Sequence, residues 1–162
     1  MSTVIRRLED ADVEAVVAFS LRAWAPVFAS LEAELGPKVY GLLFPDWRSA
    51  QAYAVEATCR ASKNDVWVAL VDDRPVGFVA VGFIDEDATR AGEIHMIAVD
   101  PAHQGAGVGD SLMQRAVTEI KAEGVELAVV ATGGDPGHAP ARALYQKLDF
   151  NPLHLVRYYR KL

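Results

Sequence analysis

The sequence predicts a mixed α/β fold in which a sheet is flanked by helices. Three observations carry that prediction: helical patterning through the N-terminal third, extended segments from Val66 to Val99, and the order strand, glycine loop, helix, strand from Gly92 to Ala131. The last of these demands a right-handed crossover and a parallel strand pair.

Taken in order, Thr3 to Arg7 reads as a short strand. Glu9 to Ala23 places Val13, Val16, Val17, Phe19 and Leu21 at helical spacing behind an acidic start, and Pro26 is expected to interrupt that helix. Val27 to Cys59 continues helical, with breaks expected near Gly36-Pro37 and Pro45, giving two or three short helices. Val66 to Asp73 and Val76 to Asp85 read as an antiparallel hairpin turning at Asp73-Arg74-Pro75. A third strand, Gly92 to Val99, ends at Asp100-Pro101, and Leu112 to Glu123 is a helix stopped by Gly124. Val125 to Ala131 is apolar enough to predict a central strand. Gly133 to Gly137 is a loop before a last helix, Pro140 to Leu148, and Leu153 to Tyr159 is an extended segment at the C-terminal end.

The chain of 162 residues, 51% hydrophobic and 23% charged, suffices for one well-buried core, and residues 1–162 read as one domain. No apolar run reaches the ~20 residues a spanning helix needs, and residues 1–12 are charged where a signal peptide would be greasy, so a cytoplasmic protein without a membrane partner is expected. Cys59 is the only cysteine, reads as a small buried hydrophobe and excludes an internal disulfide. The formal charge of -6 disfavours nucleic acid as a partner and favours a cationic substrate. No metal is expected, because His and Cys never fall at ligand spacing.

The segment Gln104-Gly105-Ala106-Gly107-Val108-Gly109-Asp110 lies between a strand and a helix. Glycines there let the backbone approach a ligand, and the first-turn amides and dipole of the helix favour an anion such as a diphosphate. A Walker loop would end in GK[ST], whereas Gly109 is followed by Asp110 and Ser111; a dinucleotide fingerprint would need glycine at position 110 and the opening of a doubly wound sheet.

The segment resembles the diphosphate loop of the GCN5-related N-acetyltransferase (GNAT) family, [QR]xxGx[GA], matched by Gln104, Gly107 and Gly109. His138 to Phe150 is similar to the NxxAxxLYxxxGF helix of that family, and the resemblance extends over roughly Asp65 to Phe150. It departs at His138 (usually Asn), at Asp149 (usually Gly) and at Gln104-Gly105, where Arg-Gly is common; the lost arginine implies weaker coenzyme affinity.

The resemblance implies a mostly antiparallel central sheet with a splayed parallel strand pair, formed here by Gly92 to Val99 and Val125 to Ala131. It implies acetyl-CoA as co-substrate, its diphosphate on residues Gln104, Gly105, Ala106, Gly107, Val108, Gly109 and Asp110. Its pantetheine arm would lie along backbone groups from Met96 through Ile97, Ala98 and Val99, with a strand amide polarising the thioester carbonyl. Direct transfer of the acetyl group to a primary amine of a small molecule or a peptide or protein N-terminus would follow. Glu93 would be the base, directly or through water, and Tyr145 the acid at the coenzyme sulfur, also contacting the coenzyme. His138 would cap the last helix or contact the coenzyme. Trp24, Phe28 and His95 would face the acceptor, and homodimers are frequent in the family. A non-catalytic acyl-CoA-binding module and an acyltransferase using a different acyl-CoA are the alternatives, since the loop reads phosphates and not the acyl chain.

Overall fold

In the computed structural model, which describes residues 3–162, the chain begins with β1 (Val4–Arg7) and a single 3-10 turn, Asp10–Asp12. The turn is built on Asp12. Its carboxylate accepts Arg6 Nη1 at 2.7 Å, Arg6 Nη2 at 3.0 Å and the Glu9 amide at 2.8 Å, closing a capping box at the start of α1 (Val13–Leu43).

Pro26 does not interrupt this helix as expected: α1 passes through it, forgoing one backbone hydrogen bond. The break falls at Gly36, where φ of 72° takes the backbone out of helical geometry just before Pro37. A turn at Pro45 separates α1 from α2 (Trp47–Arg60), whose start is capped by the Asp46 side chain accepting the Ser49 amide at 3.2 Å. By length and composition alone the span Asp10–Leu43 is long and apolar enough to cross a membrane. In the fold, Val13, Val16, Phe19 and Phe28 on this helix are buried.

The strands β2 (Asp65–Val71), β3 (Arg74–Glu86) and β4 (Thr89–Val99) form an antiparallel meander. The β2–β3 turn sits one residue earlier than predicted, at Asp72-Asp73, with φ of 49° and 59°. Aspartate tolerates this left-handed pair, which matches strand twist in a tight hairpin, and Arg74 and Pro75 already belong to the ladder. Next come α3 (Val108–Ala122), four residues longer at its start than its apolar pattern suggests, then β5 (Leu127–Val130) and α4 (Ala139–Lys147).

Sheet order is β1-β2-β3-β4-β5, and only β4–β5 is parallel. The apolar strand predicted to be central is therefore at the edge, its composition reflecting a face covered by helix. Leu153 to Tyr159 joins no strand and lies exposed.

Two helical layers cover the sheet. Val16, Phe19, Val55 and Cys59 of α1 and α2 pack with Val68, Phe78 and Ala80; Leu112, Met113, Ala116 and Ile120 of α3 pack on the opposite face with Val79, Val81 and Ile94. Each Val, Leu, Ile, Phe or Met among them contributes about 1.5–3 kcal/mol on burial. Cys59 is buried as expected, and burial pushes its thiol up to about 11. It should resist thiol reagents at pH 8 in the native protein and react on unfolding, as a timed thiol titration with and without urea would show.

The hydrogen bonds from Arg6 hold the buried Asp12 carboxyl below the ordinary carboxylate range, outweighing burial. Because the native value is depressed, this pair stabilises the fold above the unfolded value and loses that contribution as pH falls through the native one. Asp12→Ala should cost about 2–4 kcal/mol in urea unfolding at pH 7, and the difference from wild type should shrink below about pH 4. A difference independent of pH would show that packing alone is responsible.

Candidate active site

β4 and β5 are paired over only four residues, from Ala91↔Leu127 to Ile94↔Val130. The next residue, His95, is a bulge: Ile94 pairs with Val81 and Met96 with Ala80, so His95 has no partner on β3. A bulge bends the strand and places successive side chains on one face. Ile94 and Ile97 face the α3 layer while Met96 joins the α1 layer. Beyond the bulge β4 diverges from β5, and the parting is the throat of a cleft of about 480 Å³.

His95 lines this cleft, and its imidazole is held on the β3 side of the strand. Its Nδ1 lies 2.9 Å from Glu93 Oε2. Its other edge rests on Gly82, where any Cβ would run into Nε2, and buried Asn64 Oδ1, which lacks a hydrogen-bond partner, borders the same spot. Glu93 itself is not in the cleft wall; it stands behind His95 on the same strand face.

At the far end of β4, a 3-10 turn (Pro101–His103) leads into the glycine loop. Gln104 Nε2 donates to Val99 O at 3.1 Å, folding its side chain back on the strand. Gly107 caps α3 with φ of 81°, a left-handed conformation that glycine adopts without strain, and nothing lies within 4 Å of where its Cβ would be. Ser111 N makes the first helical bond, to Gly107 O at 3.1 Å, which leaves the amides of Val108, Gly109 and Asp110 as donors at the positive end of a 15-residue helix. This open cradle fits a diphosphate. Asp110 beside it is paired with Lys147 Nζ at 2.7 Å, which offsets the carboxylate charge.

The opposite wall is Thr132, Gly137, His138 and the first turns of α4, braced by the loop from Gly133 to Pro136. Gly137 N donates to Ser30 Oγ of α1 at 2.9 Å and to Asp135 Oδ2 at 3.0 Å, while Arg142 Nη1 donates to the carbonyls of Gly133 (2.6 Å) and Asp135 (2.8 Å). His138 Nδ1 pairs with Asp135 Oδ1. Burial pushes the Asp135 carboxyl up, but hydrogen bonds from His138 and Ser30 together outweigh it and hold the group below its usual range. Tyr145, about two helical turns beyond His138, is 8% exposed and lines the cleft; burial pushes its hydroxyl up to about 12.

Of the residues singled out from the sequence, Trp24, His95, Ile97, Ala98, Val99, Gln104, Gly105, Gly107, Gly109, Asp110, His138 and Tyr145 meet in this cleft. Val108 turns its side chain into the core, leaving its backbone to serve the loop, and Ala106 is at the loop surface. Phe28 lies elsewhere, stacked on Trp47 at 4.3 Å and edge-on to Phe44, where it pins α1 to α2.

The sequence profile of the Acetyltransferase (GNAT) family matches residues 29–150. The chain belongs to the GNAT family. Among relatives, a mycothiol acetyltransferase of Brachybacterium faecium is 32% identical over 146 residues, covering 88% of this chain and 38% of that protein. The chain spans between a fifth and two fifths of the length of the mycothiol acetyltransferases it matches. Among solved structures, the BH1408 protein of Bacillus halodurans superposes with a TM-score of 0.76 at 16% identity, covering 98% of this chain and 99% of that one. Aminoglycoside N-acetyltransferase AAC(6')-Iy in complex with CoA gives 0.65 at 19%, covering 99% and 95%.

The GNAT resemblance located the loop, the strand pair and Tyr145. It carried no signal for Asp135, Ser30, Arg142 or Gly82, whose roles arise from contacts between distant segments. Gly82→Ala should displace the His95 ring and cost about 1–3 kcal/mol through overpacking. Urea unfolding and the imidazole resonances of His95 check this; unchanged stability and resonances would mean that the ring is not seated on Gly82.

Proposed function

We propose that the chain transfers the acetyl group of acetyl-CoA directly to a primary amine. The observation that carries this reading is the single cleft that joins the amide cradle of Gly107 to Asp110, the parted strands β4 and β5, and the side chains of His95 and Tyr145. The loop amides would hold the diphosphate and β4 beyond Met96 would offer backbone groups to the pantetheine arm. The acceptor would enter beside Trp24 and Val27 of α1.

The amine nitrogen forms a bond to the thioester carbonyl carbon as the carbon–sulfur bond breaks. Its proton passes to the Glu93 carboxylate, directly or through water, and the imidazole of His95 orients that carboxylate with Nδ1 2.9 Å from Oε2. Tyr145, with a hydroxyl near 12, is a weaker acid than an ordinary thiol of ~8.5 and acts best by donating a hydrogen bond to the departing sulfur. Positioning supplies the rest, since a thioester needs no covalent enzyme intermediate.

A small-molecule amine is the acceptor class this reading favours over a peptide or protein N-terminus. The formal charge of -6 suits a cation, and relatives and neighbours bear the names mycothiol acetyltransferase and aminoglycoside N-acetyltransferase. The protein would work in the cytoplasm. A homodimer belongs to the same reading.

The test is release of free thiol from acetyl-CoA across a panel of amino sugars, polyamines and peptides; no turnover on any of them, with coenzyme bound by calorimetry, would favour the acyl-CoA-binding module, and faster turnover of another acyl-CoA would assign a different acyl donor. Glu93→Gln should lower kcat by about 10²-fold with KM little changed. Because Tyr145 keeps its proton well past pH 10, the rate should not fall between about pH 8 and 10 on its account. An alkaline limb near 10 that disappears in Tyr145→Phe would overturn the role given to that hydroxyl.

A further inference from the structure

Acetyl transfer leaves a thiolate that has to gain a proton, and Tyr145, its hydroxyl pushed up to about 12, gives up its own only reluctantly. A second titratable pair stands on the same wall of the cleft. His138 occupies the N-cap of α4 but its side chain makes no capping bond; the imidazole is turned to Asp135 instead, Nδ1 to Oδ1. The Asp135 side chain is 6% exposed and also accepts the Gly137 amide and the Ser30 hydroxyl. Among the described residues, His138 is the one group that brings this carboxylate a positive charge.

The surrounding chain is shaped to the pair. A side chain at Gly133 would run into both Asp135 Oδ1 and His138 Nδ1, and one at Gly137 would meet Ser30 Cβ and Val27 Cα. With Nδ1 fixed in this way, Nε2 has no hydrogen-bond partner among the described residues, and the ring lines the cleft. Helix geometry brings it to Tyr145. Residues seven apart repeat in direction to within about 20° and stand about 10.5 Å apart along the axis, so His138 and Tyr145 share a face. A long helical side chain leans toward the N-terminal end, which carries the Tyr145 hydroxyl back toward His138.

On the acetyl-transfer reading above, on which this step rests, we propose that His138 is the proton donor to the departing sulfur and that Asp135 is the positioning residue that keeps its imidazole charged. As the carbon–sulfur bond breaks, its electron pair goes to sulfur, and sulfur takes the proton from Nε2. Tyr145 keeps its own proton and donates a hydrogen bond. One proton has then arrived at Glu93 and one has left His138, and exchange with water resets both. The asparagine usual at this position in the family has no proton to give, so the histidine adds a chemistry that the motif does not carry.

The groups facing the imidazole set its charge. Asp135 favours the imidazolium. The positive end of α4 opposes it, as does Arg142, whose Nη1 lies on the carbonyls of Gly133 and Asp135. Glu93 and His95 stand across the cleft on β4, and the residues that α1 brings to this wall, Trp24, Val27 and Ser30, carry no charge.

The full chain is titrated with CoA, the product thiol, bound. In the wild type the bound thiol should ionise at least about one pH unit below free CoA, read as ultraviolet thiolate absorbance against the coenzyme-free protein, because a neighbouring imidazolium favours the thiolate. His138→Asn should abolish that depression and lower kcat by about 10²-fold, while calorimetry gives a CoA affinity within about threefold of wild type. His138→Gln should behave alike, and circular dichroism checks the fold of both. The wild-type kcat should fall on the alkaline side as the imidazolium loses its proton, and Asp135→Asn should move that limb to lower pH, which a loosened loop alone would not do. A limb that stays in place overturns the part given to Asp135. With CoA bound, a thiol midpoint that is the same in wild type and His138→Asn, or a kcat within about threefold, overturns the proposal and leaves acetyl transfer standing. Failure of the wild-type chain to bind CoA at all would overturn the acetyltransferase reading and the proposal with it.

Discussion

The parting of β4 from β5 at His95 is the constraint on which the rest of the site depends. A parallel pair in continuous register would have its backbone groups saturated and would leave no room between the strands. The bulge prevents that at one residue, directly after the last β4–β5 pair, Ile94↔Val130. From there the β4 backbone keeps its bonds to β3 through Val99 while its other edge is free for a ligand. Gly82 makes the bulge possible, since only a residue without Cβ leaves space for the imidazole that the bulge turns toward it. The same event therefore opens the throat and sets a titratable side chain at its lip.

The amide cradle answers a second problem, how a chain with excess negative charge can hold a polyanion. Fixed dipoles do it without a long cationic side chain: the amides at the start of α3 are pre-oriented by the helix and carry no rotamer entropy to lose. Asp110 lies against this field, and Lys147 on α4 compensates it at 2.7 Å. Both residues are partly exposed, so the pair contributes little to stability. Its effect is local, offsetting a carboxylate charge beside the helix N-terminus.

How much of this was legible in the sequence follows from how local each feature is. The hairpin, the glycine loop and α3 are written in short-range periodicity and turn residues, and they stand within a few residues of where the pattern puts them. Pro26 misled because local propensity costs only a few kcal/mol, less than the burial of Phe19 and Phe28 on either side supplies. β5 misled because an edge strand whose face is covered by helix is as apolar as a central one. In the site, Tyr145 and the loop glycines were readable through the family resemblance, and Glu93 was readable as a charge on the correct face but not as a residue behind His95. The Ser30–Gly137 bond joins segments 107 residues apart, and no local pattern encodes such a contact.

That long-range contact ties two walls of the cleft together mechanically. Gly137 approaches α1 so closely that a Cβ there would meet Ser30 Cβ at 2.8 Å and Val27 Cα at 2.9 Å. The loop that begins α4, and with it Tyr145, is thus seated on the helix that carries Trp24 and Val27 into the cleft wall. A change in α1 that moved this wall by one ångström would be felt at Ser30, at Asp135 and His138, and through α4 at Tyr145, because packed helices shift as rigid bodies. The outer turns of α1 and α2, where Leu42 and Tyr53 are exposed, are free of this constraint, while the stretch from Ala23 to Ser30 is held by the geometry it imposes on the loop and on α4.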